Sequence, residues 1–295
     1  MNIAEGVIAA LLSPMHEDES IHCEQMRRLA ARQIAAGVHG LFVAGTNGEA
    51  YALSPQEKLR LAESVLREAE GKVPVYFGSG LCGTRETIEL SKEAQRLGVD
   101  ALSIVCPYFA PVSQEGLYAH FSEIAAAVSL PIILYNIPAR TGVNLAPATV
   151  ARLAQIPNII GVKDSSGNFE QILQYLESVP EGFHVLSGND SLLLWTLMAG
   201  GSGGICGVAN LFPQTMAAIY EAWKAGDLPR ARQAQERIRP IRTLFRYGSS
   251  GPVIKLAANL LGLSAGPSRR PFDTIGEEGK TAILEMLNTQ YRGIQ

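Results

Sequence analysis

Short apolar runs alternate with longer amphipathic ones along most of the chain. The short runs fall at residues 6–12, 40–44, 74–78, 101–105, 131–135, 159–163, 183–187 and 203–206. Apolar at nearly every position, they have the pattern of strands covered on both faces, as in a parallel sheet. Between them the hydrophobic period becomes helical. The segment 54–70 opens on Ser54-Pro55-Gln56-Glu57, a capping serine, a first-turn proline and an acid that together specify a helix start. Segments 84–97, 113–128 and 146–153 repeat the scheme. Strand followed by helix, eight times over roughly 250 residues, predicts a closed α/β architecture, the (β/α)8 TIM barrel.

The rival is a doubly wound open sheet. Such a sheet more often carries a Gly-x-Gly-x-x-Gly turn after its first strand, whereas Ser13-Pro14-Met15 stands there in this chain. The glycine cluster 200–204 precedes the eighth strand instead of opening a helix after it. That placement argues for close backbone packing, not for a phosphate cradle. Beyond residue 226 the strand pattern stops, and 229–247, 252–261 and 274–287 read as helices. The expected organisation is a barrel over 1–226 and a C-terminal helical domain over 227–295.

Composition narrows the function. A hydrophobic content of 47% over 295 residues supplies one large core or two modest ones. The net charge of -3 and a pI near 6.0 leave no basic footprint for nucleic acid, so small-molecule chemistry is expected. The apolar stretch 1–12 lacks a basic leader and is too short to span a bilayer, which points to a soluble cytoplasmic protein. Cys23, Cys82, Cys106 and Cys206 form no C-x-x-C pair, and the histidines show no H-x-x-x-H spacing. His16, His22 and His184 would have to converge from distant segments to bind a metal, so none is expected.

One residue breaks the apolar pattern. Lys163 ends the run Ile159-Ile160-Gly161-Val162, where an ammonium loses hydration and the neutral amine, a nucleophile for carbonyl carbon, becomes accessible near neutral pH. The alternative is a strand-end lysine that reaches solvent or pairs with Asp164. In a barrel, chemistry belongs at the carboxyl ends of the strands, and polar residues gather there: Gly45-Thr46-Asn47-Gly48-Glu49, Cys106-Pro107-Tyr108-Phe109, Tyr135 through Gly142, Lys163, and Ser187-Gly188-Asn189-Asp190. Turn chemistry accounts for the glycines and asparagines. It does not account for a tyrosine, an arginine and a lysine on adjacent strand ends, where they can relay a proton, fork a carboxylate and bond a ketone.

Gly45-Thr46-Asn47-Gly48-Glu49, Tyr135-Asn136-Ile137-Pro138 with Arg140-Thr141-Gly142, and Gly161-Val162-Lys163-Asp164, in that order, resemble the dihydrodipicolinate synthase and N-acetylneuraminate lyase family. The resemblance covers residues 6–263. It implies a pyruvate-dependent class I aldolase, commonly a homotetramer built as a dimer of dimers, that works without a separate cofactor through an imine on Lys163. It further implies a carboxylate cradle at Thr46 and Asn47, an acid-base role for Tyr135, and pyruvate-pocket positions at Gly188 and Ile205.

Arg140 resembles the synthase branch, where it grips the carboxylate of aspartate semialdehyde, and Ser113-Gln114-Glu115-Gly116-Leu117 is similar to that branch as well. Phe109 and Asn47 depart from it, standing where the synthases place a tyrosine and a second threonine; each change removes a hydroxyl. The expected activity is therefore most nearly the synthase joining pyruvate to aspartate semialdehyde, with Phe109 beside the substrate and Tyr108 or water covering its missing hydroxyl. A 2-keto-3-deoxy sugar acid aldolase or dehydratase is the second candidate. A non-catalytic barrel that binds a 2-oxo acid is a third, from a different class.

Overall fold

A computed structural model, which describes residues 3–272 and 275–291, closes the eight expected strands into one barrel. They are β1 (Gly6–Ala10), β2 (Gly40–Val43), β3 (Val75–Phe77), β4 (Ala101–Val105), β5 (Ile132–Asn136), β6 (Ile159–Asp164), β7 (His184–Ser187) and β8 (Gly203–Cys206). Each pairs in parallel with its sequence neighbour, and β8 returns to β1. Closure leaves no free sheet edge. At the seam the backbones approach closely: Gly203 sits at φ 155, and a Cβ there would lie 2.1 Å from the Gly6 carbonyl oxygen. The glycine cluster thus serves packing, as its position before β8 suggested.

Period-two alternation sorts the strand residues into two apolar layers. Ile8, Ala10, Phe42, Tyr76, Ile133, Leu186 and Ile205 fill the barrel interior. Val7, Ala9, Leu41, Val43, Leu134, Val162 and Val185 face outward, against the ring of helices. On β6, Val162 points outward, so Lys163 points in and Asp164 out. The register Tyr135↔Lys163 between β5 and β6 puts both side chains at one level of the mouth.

The helix over 54–70 is observed as Pro55–Ala69 with the capping box that its sequence specifies: Glu57 N–H donates to Ser54 Oγ and Ser54 N–H to Glu57 Oε2. On the helix Gln114–Ala127, His120 is buried, its Nδ1 bonded to Thr84 Oγ1 at 2.9 Å and its Nε2 without a partner among the described residues. Burial pulls the His120 pKa down to about 4, from an ordinary value near 6.5. A buried imidazole that resists protonation stabilises the fold above the unfolded pKa, and that contribution is lost as pH falls from about 6.5 toward about 4. Urea titrations across this window should show about 3 kcal/mol less stability at the acid end. A His120→Gln protein should lack that part of the slope.

The C-terminal segment departs from its expected outline. The single helix expected over 229–247 is instead an α-helix, Leu228–Ile238, followed by a 3-10 stretch, Arg239–Tyr247. Pro240 is the cause, because it donates no N–H and its ring clashes with the preceding turn. The next helix, Ser250–Leu260, begins earlier than its apolar pattern suggested. The last is Glu277–Gln290; the expected start at 274 lies outside the described residues. Ile238, Ile241, Val253, Ile254, Ala257 and Ile283 are buried in the same apolar cluster as the barrel's outer layer. This segment reaches across the carboxyl-end mouth.

Candidate active site

Lys163 is 4% exposed. Its Nζ stands 3.7 Å from the centre of the Tyr135 ring and 5.3 Å from that of Phe42. Among the described residues no carboxylate lies within ion-pairing distance of it. The pairing with Asp164 does not occur. That carboxylate points to the other face of β6, where it accepts from Asn136 Nδ2 at 2.8 Å and Gln171 Nε2 at 3.1 Å. Burial raises the Asp164 pKa, and those donors oppose the rise. Lys163 therefore does not reach bulk solvent and makes no ion pair; the ring faces of Tyr135 and Phe42 beside it attract a cation weakly and leave an amine free to react.

Tyr135, also 4% exposed, places its hydroxyl 3.0 Å from Thr46 Oγ1. Thr46 begins the tip of a tight loop leaving β2, closed by Glu49 N–H to the Thr46 carbonyl at 3.1 Å and Ala50 N–H to the Gly45 carbonyl at 3.2 Å. Among the described residues the backbone amides of Thr46 and Asn47 have no protein partner. Two unengaged N–H groups and a hydroxyl are donors of the kind that can hold a carboxylate.

Two connected cavities meet at Thr46, Tyr135, Ile137 and Ser250. The smaller, about 140 Å³, holds Lys163, Asn47, Gly188 and Ile205. Gly188 is glycine because its backbone runs against the lysine: a Cβ there would lie 2.9 Å from Lys163 Cε and 1.9 Å from Ser165 Oγ. The larger, about 300 Å³, is lined by Arg140, Tyr51, Ser103, Tyr108, Val105 and Phe272, among others. Burial, and then the Glu49 carboxylate, push the Tyr51 pKa up to about 12, while Arg140 pulls it the other way. One cavity thus holds the amine and the other the guanidinium, with a shared hydroxyl pair between them.

Phe109 is the expected site residue that the structure moves elsewhere. It lines neither cavity, is 98% exposed, and adopts a left-handed backbone at φ 79. That turn, just past the end of β4, throws the ring away from the mouth and leaves Tyr108 facing the larger cavity. Sequence reasoning also missed residues from the C-terminal segment. Arg242, Phe245, Ser250 and Ile254 wall the lysine cavity, and Arg242 stands 3.6 Å from the buried carboxylate of Asp190. Burial raises the Asp190 pKa, and Arg242 opposes it. Only Ser249-Ser250-Gly251-Pro252, a small-residue cluster opening a helix, offered any signal for this wall.

Among the described residues no group of three or more His, Cys, Asp or Glu is arranged for a metal ion. His16 and His22 stack at 4.0 Å, but His184 lies apart at the start of β7, its Nδ1 bonded to Ser202 Oγ. No helix among them is long and apolar enough to cross a membrane.

A buried lysine and a hydroxyl pair at the carboxyl-end mouth of a closed parallel barrel define the class of site used by (β/α)8 enzymes. A family model, the dihydrodipicolinate synthetase family, matches residues 3–290, and the chain belongs to that family. It is 45% identical to a 4-hydroxy-tetrahydrodipicolinate synthase of Methanopyrus kandleri over 286 residues, 96% of this chain and 95% of the relative. The fold superposes with a TM-score of 0.94 on the dihydrodipicolinate synthase of Thermotoga maritima, at 31% identity over 98% of this chain and 99% of the other. It also matches YagE, a prophage protein of the dihydrodipicolinic acid synthase family from E. coli K12 in complex with pyruvate. That match has a TM-score of 0.93 and 32% identity, covering 98% and 99% of the two chains.

Proposed function

We propose that the protein is a pyruvate-dependent lyase working through an imine on Lys163, and that it is a 4-hydroxy-tetrahydrodipicolinate synthase, joining pyruvate to aspartate semialdehyde. The observation that carries this reading is Lys163 Nζ, buried without a carboxylate partner among the described residues and 3.7 Å from the Tyr135 ring. The Thr46 and Asn47 amides receive the pyruvate carboxylate. The neutral amine adds to the keto carbon, Tyr135 delivers a proton to the departing oxygen, and water leaves as the imine forms. Loss of a methyl proton gives the enamine, whose carbon attacks the acceptor aldehyde. The new alkoxide takes up a proton through the Tyr135 and Thr46 hydroxyls, and Arg140 holds the acceptor carboxylate from the larger cavity. The acceptor's own amino group then attacks the imine carbon, closing a ring, breaking the bond to Lys163 and releasing its amine.

A cytoplasmic homotetramer belongs to the same reading. Its support is the family resemblance and the Phe109 ring, 98% exposed, an apolar surface that a second copy would cover.

One observation favours a second acceptor class. Among the described residues the larger cavity presents hydroxyls from Tyr51, Ser103 and Tyr108 and no carboxylate that could meet an acceptor's ammonium group. The Ser103 hydroxyl is buried without a partner among the described residues. A hydroxylated sugar-acid aldehyde would match that lining. Steady-state comparison decides between them. A kcat/KM for aspartate semialdehyde well above that for glyceraldehyde-type acceptors is the expected result, and the reverse order would transfer the assignment to a 2-keto-3-deoxy sugar acid aldolase.

A further inference from the structure

The loop bearing the carboxylate cradle is bracketed by two strained residues. Ala44 and Glu49 both lie in the left-handed region, at φ 57 and 55, although neither is glycine. Such conformations persist only where the surroundings over-determine them, and here much of the surrounding structure comes from the C-terminal segment. Lys255 Nζ donates to Glu49 Oε1 at 2.7 Å, with the two side chains only 1% and 0% exposed. Glu49 Oε2 accepts the backbone N–H of Arg269 at 2.8 Å. At the start of the helix that carries Lys255, Ser250 Oγ donates to Asn47 Oδ1 at 2.9 Å. Gly251 lies against the same loop, where a Cβ on it would be in van der Waals contact, 3.4 Å from the Asn47 carbonyl oxygen.

A fully buried ion pair is a poor device for stability alone, because desolvation cancels most of its attraction and apolar replacements are often as stable. What it supplies is a fixed geometry, with one carboxylate held through both oxygens. We infer that Lys255, acting through Glu49 and together with Ser250, is a positioning residue that sets the Thr46 and Asn47 amides and hence the affinity for the 2-oxo acid. The inference rests on the proposed reading of that loop as the pyruvate cradle. It makes the C-terminal segment a working part of the first binding step, while Arg140 in the larger cavity is carried by the short helix after β5, Pro138–Thr141.

The test uses the full chain and two variants. The first is the size-matched neutral pair Glu49→Gln/Lys255→Met, and the second is Ser250→Ala, which removes the tether to Asn47 and leaves the Glu49–Lys255 pair in place. The paired variant should raise KM for pyruvate roughly tenfold and leave KM for the acceptor within about twofold, as expected when one substrate's orienting contacts loosen. Ser250→Ala should shift the pyruvate KM in the same direction by roughly threefold, the scale of a single hydrogen bond. A purely structural role would move both constants alike and lower Tm. That pattern, or an unchanged pyruvate KM in a folded variant, overturns the inference. Should the paired variant fail to fold, Ser250→Ala decides alone: a raised pyruvate KM supports the inference and an unchanged one overturns it. Borohydride reduction of the wild-type protein with pyruvate separates the two levels. No adduct on Lys163 defeats the underlying reading, whereas an adduct with unmoved KM values defeats only the positioning role.

Discussion

In the Lys163→Ala protein, borohydride traps no pyruvyl adduct and turnover falls by roughly 10⁶, the scale of removing a covalent nucleophile. The size of the effect follows from the surroundings of Nζ. No second amine lines the lysine cavity; its other cation is the Arg242 guanidinium, which stays protonated and cannot form an imine. Stability should move the other way or not at all. An ammonium without a carboxylate partner costs more to bury than two ring contacts return, so Tm should equal or exceed the wild-type value. Peptide mapping of the reduced wild-type protein should place the adduct on the peptide containing Gly161-Val162-Lys163-Asp164. An adduct on another side chain, or undiminished trapping in Lys163→Ala, would remove the proposed chemistry while leaving the barrel intact.

Much of this site was legible along the chain because strands alternate with period two. An apolar run ending in Val162-Lys163-Asp164 commits the lysine to one face and the aspartate to the other, and the outward burial of Val162 fixes which is which. Adjacent parallel strands then bring Tyr135 level with Lys163 without any further signal. Phe109 shows where such reasoning ends. Its position in the loop after β4 suggested a pocket residue, and within the single chain a left-handed backbone at φ 79 turns it outward, with no glycine or asparagine to mark that turn in the sequence. Contacts across long separations were equally silent. Glu49 and Lys255 are 206 positions apart, and Arg242 meets Asp190 from a 3-10 stretch that periodicity had read as continuous helix. Hydrophobic period describes what an element buries, not which polar side chain it extends over a neighbouring mouth.

Tyr135→Phe should separate imine formation from turnover. Only the hydroxyl is removed, so the ring that faces Lys163 Nζ at 3.7 Å stays in place and the adduct should still accumulate, slowly, at saturating pyruvate. What disappears is the bond to Thr46 Oγ1 at 3.0 Å and with it the proposed acid-base hydroxyl, on the one tyrosine that lines both cavities among the described residues. A general acid-base group contributes roughly 10² to 10⁴, so kcat should fall within that range. The Thr46 hydroxyl is then left without its partner, at a cost of about 1 to 3 kcal/mol in a part-buried setting, so a modest fall in Tm accompanies the kinetic loss. Thr46→Val should reproduce part of the kcat defect and add a higher KM for pyruvate, because in the proposed mechanism that hydroxyl both relays the proton and borders the carboxylate site. If Tyr135→Phe instead turned over at the wild-type rate, protons would have to travel by another group, and Tyr108, which lines the larger cavity, would be the residue to replace next.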